Sequence, residues 1–181
     1  MKKFLPIMFL ILSASVFSQI VKPTPDKEQS KLEAFSARSG TVIERQFIDI
    51  GEVRGVKVQV YKVTDLVSKT NISGVRFEYT VRSQYSSDDK VAVLDSDEVD
   101  GLIKTIDMLK ATVFPSTRDS YTEVEYRSRS GFEAGGYYSD KKWTAFLKLE
   151  KYDSKSMVIM RTEDLDALVA ILQLGKEKMG K

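Results

Sequence analysis

One pattern in this chain occurs twice, and it limits what the chain can fold into. Val93-Leu94-Asp95-Ser96-Asp97-Glu98-Val99-Asp100-Gly101-Leu102-Ile103-Lys104-Thr105-Ile106 is matched in chemical type, nearly position by position, by Ile159-Met160-Arg161-Thr162-Glu163-Asp164-Leu165-Asp166-Ala167-Leu168-Val169-Ala170-Ile171-Leu172. Each copy reads as the end of a strand, a helix cap and an amphipathic helix. Ser96 and Thr162 hold the same place, where a hydroxyl can accept a first-turn amide, so both are expected as N-caps. Asp97 and Glu98, and in the second copy Glu163 and Asp164, put negative charge at the positive end of the helix dipole. Val99, Leu102, Ile103, Ile106 and Leu109 then make one apolar face, and Leu165, Leu168, Val169 and Leu172 its counterpart, at helical spacing. The acids Asp95, Asp97 and Asp100 do not form a calcium loop. That template needs a glycine sixth and a glutamate twelfth, and Val99 and the placement of Gly101 break it.

Strand signals precede each helix. Val56 to Val63 alternates cleanly, with Val56, Val58 and Val60 on one side, and Val75 to Val81 alternates again. Thr41 to Asp49 and Val91 to Leu94 complete the first set, with Asp65 to Ser73 read as a loop and Ser83 to Lys90 as a turn region. Ala111 to Ser120 links the halves, and Pro115 stops the helix from running on. The second set is Tyr121 to Arg129, Phe132 to Tyr138, Trp143 to Glu150 and Met157 to Met160. Ser139 to Lys142 reads as a hairpin turn, and Gly135-Gly136 as a bulge or a close backbone approach. The expected fold is α+β. Antiparallel sheets are built from two tandem ββββα units, about 41–110 and 121–178, related by a pseudo-twofold, with the helices packed on the sheets. Neither unit is expected to stand alone, because a helix must bury its apolar side against something. Residues 31–181 are expected to form one domain, with Lys31 to Arg38 as a short helix or an ordered arm.

The N-terminus has a different character. Lys2 and Lys3 precede an apolar run from Phe4 to Phe17 that is too short for a comfortable membrane span, with Val16 and Ser18 as small residues near its end. Residues 1–18 are therefore expected to be a secretory signal peptide, and 19–30, with two prolines, a flexible leader. This predicts an exported protein, periplasmic or secreted, with no membrane span after cleavage. Removing the signal takes two lysines and no acids, leaving 26 basic against 26 acidic residues. A neutral chain lacks the global positive field that nucleic-acid binders use, which argues against a nucleic-acid partner.

With no histidine and no cysteine, Ser-His-Asp and Cys-His catalysis, His- or Cys-based zinc sites and disulfides are excluded. No phosphate-binding glycine loop appears, so no cofactor or metal is expected. Glu123, Glu125, Glu133 and Glu150 are available for carboxylate chemistry, but alternation makes them solvent-facing strand residues. A binding role fits better. Aromatic and basic residues interleave in the second half, and Tyr126, Arg127, Arg129, Tyr137, Tyr138 and Lys142 are the candidate ligand-binding residues, against the alternative of ordinary sheet packing.

The tandem order of four strands and a helix resembles the Whirly-type single-stranded DNA-binding transcription factors. The local likeness is best from Asp88 to Leu109, where a polar turn, a short strand, the cap, the acids and a helix follow in the Whirly order. The resemblance implies a fold of paired sheets and single-stranded nucleic-acid binding. Val56-Lys57-Val58-Gln59-Val60-Tyr61 stands where that family carries a Lys-Gly-Lys-Ala-Ala-Leu motif, so no binding residue is carried over. The strand and helix order also resembles exported bacterial families without an assigned activity. Three readings follow. The first is a non-enzymatic module that binds a ligand or envelope protein. The others are a Whirly-like single-stranded nucleic-acid binder and a histidine-free hydrolase. The oligomeric state is not readable from these features.

Overall fold

The alternating segments form two separate antiparallel meanders that share one core. The computed structural model describes residues 29–180; the expected signal peptide and nearly all of the leader lie outside them. Strands β1 (Ile43–Val53), β2 (Val56–Asp65), β3 (Thr70–Arg82) and β4 (Ser87–Asp95) make the first sheet in that order. Strands β5 (Thr122–Arg127), β6 (Glu133–Ser139), β7 (Lys142–Lys148) and β8 (Met157–Met160) make the second. A short helix α1 (Lys31–Ser36) precedes the first sheet, α2 (Ser96–Met108) follows it, and α3 (Thr162–Met179) follows the second. This is the expected α+β arrangement of tandem ββββα units.

Two hairpins are closed by two-residue turns. Arg54-Gly55 has φ of +52° and +79°, and Asp140-Lys141 has +51° and +63°. Left-handed conformations at both positions match the twist of the flanking strands. The expected loop from Asp65 to Ser73 is largely strand. β2 runs to Asp65, β3 starts at Thr70, and only Leu66 to Lys69 turn. The Asp65 carboxylate makes this tight turn possible by accepting from Val67 N (3.0 Å) and Ser68 N (3.1 Å) as well as Thr41 Oγ1 (2.6 Å).

The bulge also lies elsewhere than expected. Register is unbroken through Gly135-Gly136, and slips instead between Asp49 and Gly51 in β1. The extra residue, Ile50, joins the core. Close approach does explain Gly136: a Cβ there would come within 2.6 Å of the Phe114 ring.

Both helix starts sit one residue earlier than the hydroxyls suggested. Asp95 and Arg161 are the N-caps, and Ser96 and Thr162 are already helical. The third helical residue reaches back in each copy. Glu98 Oε2 accepts from Asp95 N at 2.9 Å, and Asp164 Oδ2 accepts from Arg161 N at 2.8 Å, the reciprocal half of a capping box.

Leu102 and Leu168, equivalent in the repeat, are both fully buried in one cluster with Val56, Val58, Val60, Phe77, Phe132, Leu147 and Leu172. The Phe77 and Phe132 rings stack 4.8 Å apart and join the two sheets. α2 touches β3, β4 and β6, whereas α3 lies against α2 and against β1, β2 and β3. The second helix therefore covers the first sheet. A Cβ on Gly175 would meet Ile50 Cδ1 at 2.9 Å, and one on Gly51 would meet Ile171, so the contact between α3 and this sheet is close.

The first sheet is apolar on its other face too. There Leu32 and Phe35 of α1 pack on Tyr61, Val63 and Val93. Ser30, at the end of the expected leader, is fully buried and caps α1 by accepting from Glu33 N at 3.0 Å. None of the helices among the described residues is long and apolar enough to cross a membrane.

Candidate functional site

The six candidate residues do not converge. Neighbours in a strand point to opposite faces, which separates Tyr126 from Arg127 and Tyr137 from Tyr138.

Tyr126 faces inward. Its ring lies against Gly101 of α2, where a Cβ would approach it to 3.2 Å, and its hydroxyl donates to Glu98 O at 3.0 Å. Burial first, and then the Glu98 charge, push its pKa up to about 12. Arg127 lies on the outer face of the second sheet, paired with Glu125 and, at 3.0 Å, with the buried Glu133. Tyr137, also outward, stacks with Tyr121 and tilts against Phe146.

Arg129 is committed to the start of α2. Its Nη2 donates to Asp97 Oδ1 at 2.8 Å, and its Nε lies 3.3 Å from Glu98 Oε1 and 3.5 Å from Asp95 Oδ2. Burial disfavours its charge, but Glu98, Asp97 and Asp95 together outweigh burial and raise its pKa. The Asp97 carboxyl is held below the ordinary range by the Lys31 ammonium at 2.8 Å and by Arg129.

Two clefts flank the second sheet. The first, about 570 Å³, lies between Val91–Val93 at the edge of β4, the Arg127–Gly131 connection and the Leu149–Asp153 loop. Its charges are mostly spent internally. Arg127 and Arg129 have the carboxylates just named. Glu150 and Asp153 face the buried Lys90 ammonium at 3.6 and 2.6 Å. Asp153, then Asp88, raise the Lys90 pKa. Lys151 rests on the Tyr152 ring.

The second cleft, about 730 Å³, lies where β7 begins and α3 starts, and Tyr138 and Lys142 line it. Its floor is aromatic. Trp143 meets Tyr138 edge-on at 5.4 Å and Phe114 at 6.1 Å, and donates Nε1–H to Ser116 O at 2.7 Å. Arg118 lies over the Trp143 ring at 5.3 Å, steadied by Ser116 Oγ and Thr117 O. Lys141, Lys142 and Arg161 stand on its walls, where Glu163 is the one carboxylate among the lining residues. Among the described residues no carboxylate lies in ion-pair range of Arg118, Lys141, Lys142 or Arg161.

Arg118 and Arg161 are the members that sequence reasoning missed. The segment after Pro115 brings Arg118 over Trp143 and β8 brings Arg161 to the cleft wall, and neither carries a local motif. The carboxylates weighed for catalysis are engaged one by one: Glu123 by the Tyr121 hydroxyl, Glu125 by Arg127, Glu133 by Arg127 and Lys148, and Glu150 by Lys90. Among the described residues no acids are grouped to hold a metal ion. No protein-family model matches the chain, and neither a curated protein nor a solved structure is significantly similar to it.

Proposed function

We propose that this chain is an exported, non-enzymatic binding module of the cell envelope, and that it holds an anionic partner in the cleft between β7 and the start of α3. The observation that carries this reading is electrostatic. Around the first cleft the arginines and carboxylates neutralise one another, as structural ion pairs do. Around the second, Lys141, Lys142 and Arg161 line the walls and Arg118 lies over Trp143, and among the described residues no carboxylate is in ion-pair range of any of them. A charge cluster left unpaired in a concave surface attracts the opposite charge. One exposed ion pair contributes only about 0.2–1 kcal/mol. A useful partner therefore brings several negative charges at once.

Trp143 is the single tryptophan of the chain and lies in this cleft, so its emission reports on occupancy. Titration with a generic polyanion such as heparin should shift that emission, and the effect should weaken with salt. The double variant Lys142→Glu, Arg161→Glu should lose it. An unchanged emission at low salt would overturn the reading. Cell fractionation with sequencing of the mature N-terminus tests the export part.

A further inference from the structure

We infer that the partner is an acidic polypeptide segment, held in extended conformation as a short added strand at the open end of β7. This rests on the anionic reading of the cleft and names its ligand class.

The backbone carries the argument. β6 pairs with β7 from Lys142 onward, through Ser139–Lys142, Tyr138–Trp143 and Tyr137–Thr144. On the other side β8 pairs with β7 only from Ala145, opposite Met160, to Lys148, opposite Met157. After Met160 the chain turns away into α3. Lys142, Trp143 and Thr144 thus have a strand neighbour on one side only, and all three line the cleft. Antiparallel alternation turns the N–H and C=O of Lys142 and Thr144 toward β6, so Trp143 is the residue whose backbone groups face the open side. An open strand edge offers N–H and C=O groups that another extended chain can pair with. In such pairing the main chain supplies affinity and the flanking side chains supply selection. Here the flanking cations are Lys141, Lys142 and Arg161 on the walls, with Arg118 beside them over the Trp143 ring, and they select carboxylates.

The rings argue against the two other polyanion classes. Nucleic-acid bases and sugar rings bind by stacking on open aromatic faces. Tyr138 is only 6 % exposed. Trp143 has Arg118 over its ring, Tyr138 and Phe114 against it, and its N–H already bonded. The rings of this cleft are thus already engaged within the chain, whereas a polypeptide needs no open ring to bind.

The test uses the purified full chain with three polyanions of matched charge: poly-L-glutamate, polygalacturonate and a single-stranded oligo-dT. Poly-L-glutamate should shift Trp143 emission at the lowest concentration. It should also slow exchange of the Trp143 amide by about tenfold or more, as a new strand pairing does. The variant Lys142→Glu, Arg161→Glu, changed only at exposed positions, should keep its urea midpoint and bind poly-L-glutamate about tenfold or more weakly. Two results would overturn the polypeptide assignment while leaving the anionic cleft standing. One is an emission shift without amide protection, and the other is polygalacturonate or oligo-dT binding at least as tightly. No response to any of the three would overturn both.

Discussion

The Asp95 carboxylate accepts the Leu32 amide at 2.9 Å across 63 residues of sequence, and the neighbouring Lys31 amide at 2.8 Å. One buried side chain thus satisfies the first turn of α1 while its own residue caps α2. Arg129 approaches the same carboxylate from the second sheet. Asp95→Ala leaves two amide donors without their acceptor, each a loss of about 1–3 kcal/mol when buried. The expected outcome is destabilisation of about 2–5 kcal/mol, read from the urea midpoint. Asp95→Asn, which keeps one acceptor oxygen, should lose less.

Two glycines with close neighbours should respond with different magnitudes. A methyl on Gly74 would run into the Leu94 carbonyl and come to 2.5 Å from Leu32 Cδ1. Backbone cannot yield, so Gly74→Ala should destabilise by about 3 kcal/mol, at the upper end of overpacking costs. At Gly175 the nearest atom is the mobile end of Ile50, and alanine gains about 1 kcal/mol in helix propensity. Gly175→Ala should be near neutral. Thermal melts of the two variants side by side check this.

Acid should unfold the protein partly through Asp65. Its carboxyl is held below the ordinary value by the Thr41 hydroxyl, then by the Ser68 and Val67 amides. A depressed carboxyl stabilises the fold above its unfolded pKa of about 4, and that contribution disappears as pH falls through the folded value. Tm should drop below about pH 4. In Asp65→Asn the drop should be shallower and the Tm at neutral pH lower.

The alkaline side should report Tyr126. Burial keeps its phenol protonated up to about 12 in the folded state, whereas an exposed tyrosine ionises near about 10. Between these values the unfolded chain releases a proton that the folded chain retains, so stability falls as pH rises. Tyr126→Phe removes this slope, at the cost of the hydrogen bond to Glu98 O. Chemical denaturation at pH 9, 10 and 11 should show a flatter profile for the variant, by about this one proton.

The first unit by itself should not fold. Residues 29–120 contain the whole first sheet but lack α3, whose Leu165, Leu168 and Leu172 are buried in the shared core. The fragment would expose Val56, Val58 and Val60 to water. Far-ultraviolet circular dichroism of the fragment should show no cooperative melt, and addition of residues 121–181 in trans should restore one.

Much of this architecture could be read from side-chain order. Alternation at Val56, Val58 and Val60 marked the inner face of β2, and the leucine spacing marked the buried sides of α2 and α3. The same spacing could not say which sheet each helix covers, because Leu168 looks alike against either. The strands around Leu66–Lys69 were hidden because their turn uses the Asp65 carboxylate and a left-handed Lys69 (φ +59°) in place of glycine. The helix caps were shifted by one residue because Asp95, not the more familiar hydroxyl at Ser96, takes that place.

For the candidate site, Tyr138 and Lys142 were found from composition. The separation of Tyr138 from Tyr137 was already implied by strand alternation, whereas Lys142 shares a face with Tyr137 and Arg127 and reaches the cleft from the end of its strand. Arg118 and Arg161 were out of reach, since only the packed topology brings them to this cleft.

The helix that closes over β1, β2 and β3 follows both meanders in the chain. During synthesis the first meander emerges long before its cover does. Until α3 arrives, the part of its valine-rich side formed by β1 and β2 lacks the helix that covers it. The shared core is therefore completed by residues that are made only after both meanders.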